Sequence, residues 1–169
     1  MTTDPDTGDW PRHWLSEAMK LAEVAASENE VPVGAVVVCA DASAAARAAG
    51  GRLVGRGYNR RERDQDPLAH AEILAIREAA SALGSWRLSD CTLVVTLEPC
   101  PMCLAACQQA RIGAVYYGAK DPKGGALSLG YPLHQDTRTN HRFEARFVDE
   151  PGCGRILTEF FSKKRGADA

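Results

Sequence analysis

The chain has 169 residues, 45% of them apolar and 25% charged, a length and composition suited to one compact domain with a sizeable core. A net charge of −2 excludes a globally basic nucleic-acid binder, though not a local patch of Lys and Arg. No apolar run reaches membrane-spanning length, and residues 1–9 carry neither a basic n-region nor an apolar h-region, so a soluble cytoplasmic location is expected.

Residues 1–10 are expected to be disordered. Residues 11–29 predict an amphipathic helix, with Trp14, Ala18, Leu21, Ala22 and Ala25 at helical spacing, broken by Glu30-Val31-Pro32. The apolar run Val33–Val38 predicts a buried strand. An Ala-rich insertion at 40–51 predicts a long hairpin connection, and Arg52–Tyr58 the returning strand. A polar loop from Asn59 to Pro67 leads to a helix over Ala69–Leu83, with Ile73, Leu74 and Ile76 facing inward. Cys91–Leu97 predicts a strand, Pro101–Ala110 a helix and Gly113–Tyr117 a fourth strand. A Gly-rich polar stretch, Gly118–Arg142, precedes a fifth strand at Phe143–Val148 and a final helix at Gly154–Lys164. Strands alternating with helices predict a single α/β domain over residues 1–169, layered around one sheet.

Six cysteines, Cys39, Cys91, Cys100, Cys103, Cys107 and Cys153, are read first as thiols or metal ligands rather than disulfides. Two short motifs each open a helix: His70-Ala71-Glu72 and Pro99-Cys100-Pro101-Met102-Cys103. Alone, the first suits a structural histidine, and the second a redox pair or half a zinc finger. Together they offer three ligands of the types Zn²⁺ prefers, the number found in catalytic sites that keep one position open for water. A metal there would bring the pKa of a bound water towards ~7. Glu72 is placed to move the proton, and His-x-Glu followed by Pro-Cys-x-x-Cys is a signature of zinc-dependent nucleobase deaminases. A closed structural zinc site would need a fourth ligand; Cys107 lies one helical turn past Cys103, and Cys91 at the far end of the preceding strand.

On these residues the chain resembles the cytidine deaminase-like superfamily, and within it the bacterial tRNA adenosine deaminases. Glu30–Val36, Asp66–Ile73, Thr96–Cys103, Asp121-Pro122-Lys123, Asn140-His141-Arg142 and Phe160-Phe161 carry the likeness. The resemblance implies a three-layer α/β/α sandwich with a central mixed five-stranded sheet. It also implies one Zn²⁺ per subunit on His70, Cys100 and Cys103, with Glu72 as acid and base. The implied reaction is hydrolysis at C6 of the wobble adenosine in an arginine tRNA anticodon loop, giving inosine and ammonia. A zinc-bound hydroxide attacks, and Glu72 shuttles the proton. The implied substrate contacts are Asn59, Val31 against the base, the backbone near Ala71 and Leu97, and Asp121 on a neighbouring ribose hydroxyl. Phe161, Lys164 and Arg165 would hold the anticodon stem-loop. Without the resemblance, Asn59 reads equally as a turn residue, and the basic helix end as a match to the helix dipole.

The resemblance also implies a homodimer. The small-residue face of Leu104, Ala105, Ala106 and Ala110 suits such a contact and an ordinary core alike. Two departures from the family pattern stand out: the 40–51 insertion, and the stretch Gly124–Gly130, which bears on the RNA contacts of the following loop. The alternatives are a deaminase of a free base or nucleotide such as guanine or cytosine, and a zinc-stabilised binding subunit without activity. The intact Glu72 opposes the second.

Overall fold

The structure is a computed structural model and describes residues 10–40 and 50–167. The 40–51 hairpin insertion falls mostly outside the described residues, as does the stretch 1–9.

The elements run α1 (Trp10–Ser27), β1 (Gly34–Cys39), β2 (Arg52–Tyr58), α2 (Arg61–Asp64), α3 (Ala71–Leu83), β3 (Cys91–Val95), α4 (Pro101–Gln109), β4 (Ala114–Tyr117), a 3₁₀ turn (Leu133–Gln135), β5 (Glu144–Phe147) and α5 (Pro151–Ala167). One five-stranded sheet has the order β2-β1-β3-β4-β5. β1 pairs antiparallel with β2 and β3, whereas β3–β4 and β4–β5 are parallel. The sheet is therefore mixed, as expected.

β1 shows why helices cover both faces. All six of its residues are buried, so neither face is left to solvent. Ala35, Val37 and Cys39 join a core with Ala71, Ala75 and Ala79 of α3 and Leu104 of α4. Val36 and Val38 join a second core with Trp14 and Leu15 of α1 and Cys153 of α5. Period-two alternation thus feeds two layers from one strand. Fully buried Leu15, Leu93, Leu104 and Ile112 each contribute about 1.5–3 kcal/mol through removal of apolar area from water. Leu104 and Ala110 prove to be core, and Ala105 and Ala106 are half-buried.

Four expectations are corrected. Trp10 is ordered as the first residue of α1, its ring edge-on to Tyr116 at 5.1 Å. The Asn59–Pro67 loop contains a helical turn, α2, where Arg60 pairs with Asp64 at 3.1 Å and Gln65 closes the turn in the left-handed region, φ 48°. On α3 the alanines Ala71, Ala75 and Ala79 lie against the sheet, whereas Ile73, Leu74 and Ile76 are only partly buried. The cause is backbone approach: a Cβ at Gly57 would stand 2.2 Å from the Ala71 carbonyl, and one at Gly55 2.2 Å from that of Ala75. Helix and strand come too close for larger side chains. Finally, Cys39 and Cys91 are register partners across β1 and β3 and are disulfide-bonded, not free thiols.

Candidate active site

His70 and Cys100 occupy the same local position on two helices. Each is the N-cap residue, in extended conformation, of α3 and α4 respectively. Neither uses its side chain to cap its own helix, so both are available for other work. Pro101 follows at the first turn of α4, where its missing N–H costs nothing and its φ suits the helix. Cys103 then falls at the third helical position. N-cap and third-position side chains meet at a helix start, the geometry that a capping box exploits. A C-x-x-C that begins at the N-cap therefore brings both sulfurs to one point.

His70 Nδ1 lies 3.7 Å from Cys100 Sγ and 3.5 Å from Cys103 Sγ. All three donor atoms fall within 4.8 Å of one another, the one such cluster among the described residues. Hydrogen bonding from Cys103 and from His70, working against burial, pulls the Cys100 thiol down to about 4, whereas Cys103 is held well up. Of the two, the half-buried Cys100 is the more readily ionised. Cys107 is fully buried, its thiol pushed up by burial, and stands outside the cluster; Cys91 is committed to Cys39. Neither completes a fourth ligand. Two thiols and an imidazole with room for a fourth partner fit a catalytic Zn²⁺ better than a closed structural one.

Glu72 is the second residue of α3, where a negative charge suits the helix N-terminus. It is 4% exposed, and burial pushes its carboxyl up to about 7, with the neighbouring Cys100 adding to the rise. That value lies where a proton can be both taken and given near neutral pH.

A cavity of about 250 Å³ opens onto these groups. His70, Glu72 and Cys100 line it together with the expected Val31, Asn59, Ala71, Leu97 and Asp121. Its volume is close to the lower end, ~300 Å³, of small-ligand clefts, matching a single flat base more than a large ligand. Asn59 is 7% exposed; its backbone N–H donates to the Val33 carbonyl at 3.1 Å, and its Nδ2 to the Val31 carbonyl at 3.3 Å. Its buried Oδ1 has no partner.

Phe161, Lys164 and Arg165 are not brought to the cavity. They lie exposed near the end of α5, with Lys164 over the Phe160 ring at 5.6 Å. Sequence reasoning gave no individual role to Val33, Arg61, Glu98 and Gly124, all of which line the cavity. Glu98 alone had a legible signal: an acidic residue between a buried strand and a metal-ligand motif. It is 2% exposed, and although burial pushes its carboxyl up, hydrogen bonds from Ser128 and Asp121 outweigh this and hold it below the usual range.

The catalytic-type cluster and cavity lie within residues 10–165, the span matched by the MafB19-like deaminase family. This chain belongs to that family. A tRNA-specific adenosine deaminase of Bacillus subtilis is 44% identical over 153 residues, covering 90% of this chain and 89% of that protein. The tRNA(Ile)-lysidine synthase of Deinococcus radiodurans is 57% identical over 156 residues, covering 91% of this chain. The chain spans only 25% of that longer protein, so the likeness concerns one segment of it. A solved structure from work on A-to-I editing by tRNA:A34 deaminases at the wobble position of transfer RNA superposes with a TM-score of 0.76. It is 40% identical and covers 86% of this chain and 99% of that one. As a deaminase of this family, the chain has its cavity where β1 begins and β3 ends, at the N-termini of α3 and α4.

Proposed function

We propose that this deaminase hydrolyses the wobble adenosine of a tRNA anticodon loop, in an arginine tRNA, to inosine and ammonia. The observation that carries the reading is the buried Glu72 carboxyl, held near 7 on the wall of a base-sized cavity beside His70, Cys100 and Cys103. The names of the Bacillus subtilis relative and of the A34 deaminase structure support tRNA as the substrate class. No described helix is long and apolar enough to cross a membrane, and action on tRNA assigns the enzyme to the cytoplasm.

His70 Nδ1 and the thiolates of Cys100 and Cys103 would hold one Zn²⁺, which when bound supplies Lewis acidity that makes water nucleophilic near neutral pH. The adenosine must leave the anticodon stack to bring C6 into the cavity. Glu72 takes one proton of the attacking water and gives it to N1 of the purine ring, then takes the second from the hydroxyl added at C6 and gives it to the amine, which leaves as ammonia as the C6 carbonyl forms. Val31 packs on the base, and the backbone of Ala71 and Leu97 closes around its edge. Asp121 accepts from a ribose hydroxyl beside the target. Phe161, Lys164 and Arg165 hold the stem-loop by stacking and charge. A homodimer, as the family resemblance implies, completes the proposal.

Asn59 sharpens the substrate pose. It lines the cavity with one Nδ2 hydrogen on the Val31 carbonyl, a second amide hydrogen left to donate, and its buried Oδ1 without a partner. The acceptor Oδ1 suits a ribose hydroxyl, and the second amide hydrogen suits N7 of the purine. Asn59→Ala should lower kcat/KM by about 10- to 100-fold through loss of this contact, with zinc content unchanged. Wild-type kcat/KM in that variant would remove Asn59 from the site.

The whole reading is tested by incubating the protein with an arginine tRNA anticodon stem-loop and measuring inosine, with free adenosine, guanine and cytosine in parallel. Inosine from the stem-loop alone supports it. Turnover of a free base with none of the RNA overturns it.

A further inference from the structure

The loop from Asp121 to Tyr131 contains the Gly124–Gly130 stretch and is tied closely to the cavity. One buried carboxylate takes three of its hydrogen bonds. The Asp121 N–H donates to Glu98 Oε2 at 3.0 Å, the Ser128 N–H to Oε1 at 2.7 Å, and the Ser128 hydroxyl to Oε2 at 2.6 Å. Gly125 lies directly over the carboxylate, where a Cβ would fall within 2.3–2.6 Å of its carbon and both oxygens. Beyond it, the Glu98 N–H donates to the Ala119 carbonyl at 2.8 Å, and the Ala126 N–H to the Pro99 carbonyl at 2.8 Å.

Both ends of this arrangement reach the cavity. Asp121 turns its Oδ1 to the N–H groups of Lys123 and Gly124 at 3.1 and 3.0 Å, so the placement of one fixes the other. Asp121 and Gly124 line the cavity, and so does Glu98 itself. Glu98 is also two residues from Cys100 in the chain. One side chain therefore sets the position of a cavity wall relative to the metal-ligand motif. The rest of the loop is anchored by Ala126, fully buried in the core, and by its bond to Pro99, whereas Asp121 and Ser128 at either side depend on Glu98.

We infer that Glu98 is a positioning residue that sets substrate affinity by gathering the Asp121–Ser128 loop into the wall of the cavity. The inference rests on the deaminase reading above but concerns a different step, binding rather than proton transfer. A carboxylate is required because every group it meets is a donor. A glutamine would turn its NH₂ towards one of those donors and leave at least one unpaired. A wall held out of place weakens ground-state binding and leaves Glu72 untouched, so its signature is a rise in KM with little change in kcat.

The test uses Glu98→Gln and, because that variant alters a buried charge, the milder Ser128→Ala, which removes one of the three bonds. Four quantities are read on the zinc-loaded proteins: zinc content, KM and kcat on the anticodon stem-loop, and hydrogen exchange over residues 121–128. The expected result for Glu98→Gln is a KM raised about tenfold, kcat within about threefold of wild type, full zinc content and faster exchange in the loop. Ser128→Ala should move KM and exchange the same way by a smaller factor, and it decides alone if Glu98→Gln does not fold. Unchanged KM and exchange, or a loss confined to kcat, overturns the inference. Zinc loss in Glu98→Gln beside a Ser128→Ala that behaves as wild type also overturns it, since Glu98 would then serve the metal loop. If the wild-type protein leaves the stem-loop unchanged, the functional reading fails by itself, and loop exchange in the two variants still decides whether Glu98 gathers the wall.

Discussion

Glu72→Gln is expected to lower kcat on the stem-loop about a thousandfold, roughly 4 kcal/mol in the barrier, while zinc content stays at the wild-type level. Glutamine keeps the size and polarity of the side chain but cannot carry a proton between water, ring and amine. Glu72 does not belong to the His70, Cys100 and Cys103 cluster, so the metal should remain. Stability separates this from a folding defect. Burial of the carboxyl opposes its ionisation, and a neutral amide lacks that penalty, so the variant should melt no lower than wild type. Inosine formation, bound zinc and a thermal melt on one preparation check all three. Turnover within tenfold of wild type would remove Glu72 from the chemistry and leave the buried carboxyl without a role.

The second large effect is on stability. Gly55→Ala should destabilise the fold by about 3 kcal/mol, the upper part of the range for overpacking, read from denaturant unfolding. The added Cβ would meet three atoms of α3 at once: the Ala75 carbonyl at 2.2 Å, the Ala79 nitrogen at 2.8 Å and the Ala79 Cβ at 2.9 Å. Two of these are backbone, so no rotamer change relieves them, and the helix must lift from β2. Gly55 does not line the cavity, so the folded fraction should retain zinc. A change below about 0.5 kcal/mol would mean that α3 is free to shift, and that the alanine face of this helix is not set by its approach to the strand.

That approach also shows where reading the chain stopped short. Apolar runs and helical spacing place all five strands and the four longer helices within a few residues, because burial of alternating or periodic side chains is a local pattern. Which face of α3 meets the sheet is not local. Ile73, Leu74 and Ile76 look like the inward face by hydrophobicity, yet two glycines on β2, far away in the chain, admit only alanines. The Cys39–Cys91 bond hides for the same reason: it depends on the register of β1 against β3, and neither strand alone records it. α2 was missed because its four residues are too short for any period to show; a left-handed Gln65 and one ion pair mark its turn.

At the site, the sequence by itself determined the candidate cluster. A histidine, two cysteines at C-x-x-C spacing and a glutamate two residues past the histidine constrain function because few other uses need all four types together. Helix-start signals were equally readable, since Pro101 and the residue types around His70 act within one turn. Only the tertiary structure decided that Asn59 is buried on the cavity wall, with one amide hydrogen on the Val31 carbonyl and its Oδ1 without a partner. It alone brought Glu98 of one connection against Asp121 and Ser128 of another. The physical reason is range: the C-x-x-C pair and the helix starts are set by neighbours along the chain, whereas the meeting of His70 with the two cysteines, hydrogen-bond partners and close backbone contacts are set by how distant segments meet.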